Sequence, residues 1–153
     1  TILILSVVRK HQIPMREERI KMIESLKEIF VPELRNMNFK GSFPHFRRTV
    51  GEETNLLTFQ FDRYGGGFVI ELANFSGSEF KTSWGKVIPL NKLSAHDLNE
   101  RRRVYPDSLS EGNGRDSWFR YDKKSILSLG NKFDKISKRV VQRIPIMVNY
   151  WGK

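Results

Sequence analysis

Residues 55–75 read NLLTFQFDRYGGGFVIELANF, and this stretch decides the fold. Leu57, Phe59 and Phe61 alternate with Thr58, Gln60 and Asp62, the period of two that a half-buried strand requires. Arg63–Gly67 then suits a hairpin turn, its glycines permitting positive φ where the chain reverses, and Phe68–Phe75 resumes as a second strand. Working outward, His45–Val50 is a strand joined to the first by the short link Gly51–Thr54. Short links make successive strands antiparallel neighbours, so a meander is expected. Further strands near Arg101–Tyr105 and at Trp118–Tyr121 bring the sheet to four or five.

Helices bracket this sheet. Ile23, Leu26, Phe30, Leu34 and Met37 recur at spacings of 3, 4, 4 and 3, which places them on one helical face. Pro32 lacks a backbone donor and crowds the preceding turn, so a break is predicted near Val31, with Pro32 in the first turn of a restarted helix. At the other end Ile126, Leu129, Phe133, Ile136, Val140 and Ile144 recur at 3, 4, 3, 4 and 4. Asp122 is placed to cap that helix and Pro145 to end it. Lys124, Lys135, Lys138 and Arg139 fall on its far side, with Lys132 and Arg143 nearer the flank. The expected class is α+β: an antiparallel meander of four to five strands with an N-terminal helix and a long amphipathic, basic C-terminal helix. Residues 15–153 read as a single domain. Residues 1–14 admit two readings: an N-terminal extension foreign to the domain, or an extra edge strand with Leu3, Leu5 and Val7 on one face.

Composition narrows the function classes. Hydrophobic residues are 39% and charged residues 29% of the 153, ordinary globular usage rather than that of a disordered chain. There is no cysteine, which removes disulfides, thiolate metal sites and thiol nucleophiles together and suits a reducing compartment. The longest apolar stretch, Ile2–Val8, is far short of the roughly 20 residues of a membrane span. Its basic residues Arg9 and Lys10 follow the run instead of preceding it, unlike a secretory signal. A cytoplasmic, membrane-free protein is expected. The net charge of +10 is unevenly placed: residues 15–36, 37–76 and 77–100 are each neutral, whereas 101–153 hold thirteen basic against five acidic groups.

The candidate chemistry is sparse. His11, His45 and His96 lie 34 and 51 residues apart, outside helical metal-site spacing, and read as surface histidines; no metal and no cofactor is expected. The run Gly65–Gly67 lacks the Lys-Ser/Thr of a phosphate loop and precedes a strand. Asp62 and Glu71 on adjacent strands raise metal-dependent hydrolysis, yet the lysine a nuclease would want after Glu71 is Ala73. No catalytic residue is therefore assigned. Residues 76–100 lose periodicity and form a long excursion, of the kind that often carries function, with Trp84 and Val87–Leu90 anchoring it to the body. Arg101, Arg103, Trp118 and Arg120 are the candidate binding residues. Alternation points Arg101 and Arg103 one way and Arg102 the other, so two of the triplet can converge with Arg120 on an anion while Trp118 stacks a base. The competing explanation is a solvated lysine-rich helix face plus Arg–carboxylate pairs.

Four segments, MIESLKEIFVPELRNMNFKGSFPHFRR (22–48), FQFDRYGGGFVIELANFS (59–76), RRRVYP (101–106) and DSWFRYD (116–122), together resemble a bacterial family catalogued only as a domain of unknown function, number 4304. The likeness covers roughly Met22–Trp151. Where that family often carries paired tryptophans and Arg-Ile-Gly, this chain has Trp118–Phe119 and Arg103-Val104-Tyr105. The resemblance implies a fold and a bacterial origin, and no reaction. Absent catalytic spacings and aromatics in the long connections favour a non-catalytic module that binds a protein partner, of which bacterial toxin-immunity proteins are one class. Nucleic-acid or anion binding through the basic C-terminal third is the alternative, and a metal-dependent hydrolase or nuclease using Asp62 and Glu71 the third.

Overall fold

The computed structural model describes residues 2–107, 117–122 and 131–152, with side chains from residue 16 onward. Helix α1 spans Ile2–Ile29, so Leu3, Leu5 and Val7 lie in a helix and not in an edge strand. Once residues 16–29 have nucleated a helix, each further residue adds a hydrogen bond at little entropic cost. The chain breaks at Phe30 and restarts as α2 (Val31–Asn36), with Pro32 in its first turn as expected. Asn38 then adopts a left-handed φ of 69° and turns the chain into the sheet.

Strands β1 (Lys40–Ser42), β2 (His45–Val50), β3 (Glu53–Phe61) and β4 (Gly67–Ser76) form the antiparallel meander. Leu57 stands opposite Leu72 and Thr58 opposite Glu71. The excursion is not irregular throughout: β5 (Glu79–Lys81) and β6 (Val87–Pro89) make a small hairpin, followed by 3₁₀ turns at Leu90–Lys92 and Ala95–Asp97. Strands β7 (Arg102–Val104) and β8 (Phe119–Arg120) then share the far edge of β4.

Each face of the sheet is covered by a different layer. Phe46, Leu57, Phe59, Phe68, Ile70, Leu72, Val104 and Phe119 meet Met22, Leu26, Phe30 and Leu34 of the N-terminal helices. Met22, not Ile23, completes the stripe: it lies one turn before Leu26, and Ile23 falls on the flank. On the opposite face Leu56 and Ala73 pack under Leu93, Ala95 and Leu98 of the excursion.

The described part of the C-terminal helix, α3 (Lys132–Gln142), is capped by Asn131, whose Oδ1 accepts from the amides of Phe133 and Asp134. Ile126 and Leu129 lie outside the described residues. Asp122 serves elsewhere, accepting from Arg120 and from the amide of Gly66. Phe133 and Val140 are buried, while Lys135, Lys138 and Arg139 are exposed and form a basic outer face; Lys124 lies outside the described residues. A polar seam joins α1 to α3: Ser25 Oγ donates to Asp134 Oδ1 at 2.7 Å and lies 2.8 Å from Ser137 Oγ. Pro145 does not end the chain's helicity; it sits in the first turn of α4 (Ile144–Trp151), which brings Trp151 against Phe39 at 4.7 Å between ring centres. Among the described residues no helix is long and apolar enough to cross a membrane.

The glycines of 65–67 form the expected turn for a different reason. None has a positive φ. A Cβ at Gly65 would sit 2.6 Å from Asp62 Oδ2, and one at Gly66 would sit 2.4 Å from the Asp122 side chain. What demands glycine is the close approach of two carboxylates. The load on the core is concentrated at Phe68, which is fully buried and stacks on Phe119 at 5.0 Å. Phe68→Ala should cost about 3–5 kcal/mol in a urea unfolding series with the slope unchanged.

Candidate functional site

The sheet face away from α1 and α3 carries a carboxylate where an apolar side chain would be ordinary. Glu71 is 1% exposed, because its strand is central and covered on both faces. A buried charge must be compensated, and here two arginines do so from the segment paired with β4, with a histidine close by. Arg103, directly opposite on β7, brings Nε to 3.2 Å from Glu71 Oε1; Arg101 Nε lies 3.3 Å and His96 Nε2 3.6 Å from Oε2. Oε2 accepts no well-aligned hydrogen bond, so its compensation is mainly Coulombic.

A second histidine completes the group. His45 is anchored by a 3.0 Å contact from Nδ1 to Thr58 Oγ1, and its ring meets that of His96 edge to face at 5.7 Å. Burial lowers its pKa from the ordinary 6.5, and His96 and Arg47 add to that lowering while Asp97 opposes it.

The four predicted binding residues separate into two sets. Arg101 and Arg103 converge on Glu71, and the Arg103 guanidinium covers the Trp118 ring at 5.6 Å. Trp118 itself is 7% exposed, packed with Val69 and Tyr105, so its faces are occupied by the protein and are not free to stack a base. Arg120 belongs to another network. It pairs with Asp122 at 2.6 Å and Asp62 at 3.8 Å and locks the β3–β4 turn. It stands opposite Gly67, four residues along β4 from Glu71, roughly 13 Å at strand rise. Asp62 and Glu71 are equally far apart in register, so the paired carboxylates of a metal-dependent hydrolase do not form. Among the described residues no cluster of three or more metal-ligating side chains exists.

Sequence reasoning missed two features. His45 and His96 are far apart in sequence and meet only because the 3₁₀ turn at Ala95–Asp97 folds back over β3 and β4. Trp84 was expected to anchor the excursion, yet it is 76% exposed; Phe80, Ile88 and Leu90 do the anchoring. The turn beneath Trp84 is nonetheless well made. Thr82 N donates to Lys86 O at 2.8 Å, Gly85 N to Thr82 O at 3.0 Å and Lys86 N to Thr82 Oγ1 at 2.9 Å, with Gly85 at φ +91°. The result is an indole presented to solvent on a closed turn.

The geometry thus defines an α+β domain with one helical face and one charged, aromatic-flanked face. The chain belongs to the family described as "Domain of unknown function (DUF4304)", which it matches over residues 30–145. No curated protein and no solved structure matches it.

Two measurements probe this centre. Glu71→Gln removes the charge that holds two guanidinium groups together; with both arginines partly exposed, the loss should fall near the low end for a broken buried pair, about 3 kcal/mol. For His45, the folded protein binds its proton less tightly than the unfolded chain, so stability falls as pH drops from 6.5 through the lower folded value. His45→Asn should therefore flatten the decline in melting temperature between pH 7.5 and 5.5.

Proposed function

We propose that this protein is a binding module for a protein partner, engaged through the sheet face that carries the excursion. The observation that carries this reading is Trp84, a large aromatic held 76% exposed at the tip of the β5–β6 hairpin. Tryptophan and arginine are the side chains that most often dominate interface energies, and an indole on a closed turn loses little entropy when it docks. The flanking residues fit such a role. Val87 is exposed beside Trp84, and Lys81 and Lys86 border the hairpin. The same layer holds Arg101, Arg103 and His96 around one carboxylate, leaving surplus positive charge half exposed. A partner with an apolar socket for Trp84 and carboxylates for the arginines matches both features.

Nucleic-acid binding is favoured by a different observation, the exposed Lys135, Lys138 and Arg139 of α3, and burial of Trp118 removes the stacking surface it would use. The two readings separate experimentally. Affinity capture from the source cell with the wild-type chain should recover a stoichiometric protein, and Trp84→Ala should abolish that recovery without changing the melting temperature. Retention of the same protein by Trp84→Ala, or an affinity for oligonucleotide that falls steeply between low and physiological salt with no protein recovered, would sink the proposal.

A further inference from the structure

A second charged site lies away from the Glu71 centre, at the open edge of the sheet. A groove of about 560 Å³ is lined by Asn38, Lys40, Arg47, Arg48, Thr49, Leu90 and Asn91. Its volume falls in the range of small-molecule sites. No acidic residue lines it. Strand β1 reaches back only to Lys40, opposite Arg47, so beyond that point β2 carries Arg48 and Thr49 past the end of its neighbour. The groove occupies the step so formed.

Its cations are arranged against their own repulsion. Lys40 and Arg47 are direct cross-strand partners, a like-charge pair that is unfavourable without a counter-charge. Arg47 is fixed by Nε donating to Leu93 O at 3.0 Å. Arg48 is held more firmly: Nε and Nη2 donate to Asn55 Oδ1, Nη1 donates to Met37 O, and the guanidinium rests on Phe39 at 4.8 Å and Trp151 at 5.7 Å. These acceptors are neutral amides and carbonyls. Among the described residues none of the three cations forms an ion pair; Asp97 influences Arg47 only from beyond ion-pair distance and is itself bonded to Ser94. Neutral acceptors orient a guanidinium and leave its charge unspent.

We infer that this groove binds a phosphate-bearing small molecule of nucleotide size. Lys40 and Arg47, on the excursion side of the strand, supply the charge, Arg48 lines the groove from the helical side, and Asn38, Thr49 and Asn91 supply neutral polar groups around it. A dianionic group is the chemistry that relieves the Lys40–Arg47 repulsion and matches fork-shaped donors. The groove takes Leu90 and Asn91 from the excursion, but its cations belong neither to the Trp84 hairpin nor to the Glu71 centre.

Isothermal titration with pyrophosphate and with ATP, in metal-free buffer at physiological salt, tests it. Saturable one-to-one binding of at least one probe is expected. The double variant Lys40→Gln/Arg47→Gln should weaken it by about tenfold or more. The variant Lys135→Gln/Lys138→Gln, with the same loss of charge on the outer face of α3, should leave it within about twofold of wild type. Arg48 is spared because its packing on Phe39 and Trp151 is structural. The inference is overturned if neither probe saturates, if both double variants weaken binding alike, or if only a single-stranded oligonucleotide binds.

Discussion

Strand β4 is buried on both faces from Gly67 to Ala73, and the rest of the molecule is arranged around that constraint. Alternate side chains of one strand enter two different cores. Phe68, Ile70 and Leu72 go to the helices, and Val69 and Ala73 to Tyr105, Trp118 and the excursion. Burial of both faces excludes water from the strand's only charge, Glu71, and a carboxylate in that position must recruit cations from wherever the fold can supply them. The fold supplies them from β7 and the residue leading into it, which places Arg101 and Arg103 at one point, with the His96 ring beside them. The arginine-led segment is therefore drawn to the sheet by charge as well as by its three paired residues.

The elements legible in the sequence were those whose periodicity is local. The alternation of Leu57, Phe59 and Phe61 and the proline at position 32 are read within a few residues, and strand β3 and the helix break follow from them directly. Features fixed by long-range contact were not legible. The glycines at 65–67 look like positive-φ residues until Asp122, some 56 residues on, is seen to occupy the space a Cβ would need. Trp84 looks like core because tryptophan often is; of the expected anchors Ile88 and Leu90 do pack, while Trp84 is exposed and Phe80, not singled out in the sequence as an anchor, takes its place. The candidate site was half legible: alternation correctly put Arg101 and Arg103 on one side, while Arg120 shares their face and is claimed by another carboxylate pair.

Charge placement shows most clearly why a linear reading falls short. Counted along the chain, residues 37–76 are neutral, four basic groups against four acidic, and the surplus belongs to residues 101–153. Counted in space, the assignment reverses. Glu71 is consumed by Arg101 and Arg103, and Asp62 by Arg120, so arginines of the basic third neutralise the acids of the neutral segment. Glu53 accepts from Ser76 at the far end of β3. Three of that segment's four basic residues, Lys40, Arg47 and Arg48, line the sheet-edge groove with no acidic residue beside them in its lining. A segment that sums to zero thus lines one groove with three cations and no acid. Two-sided burial makes Glu71 take its cations from Arg101 and Arg103, while Arg47 and Arg48, two strands away on β2, are held by neutral acceptors.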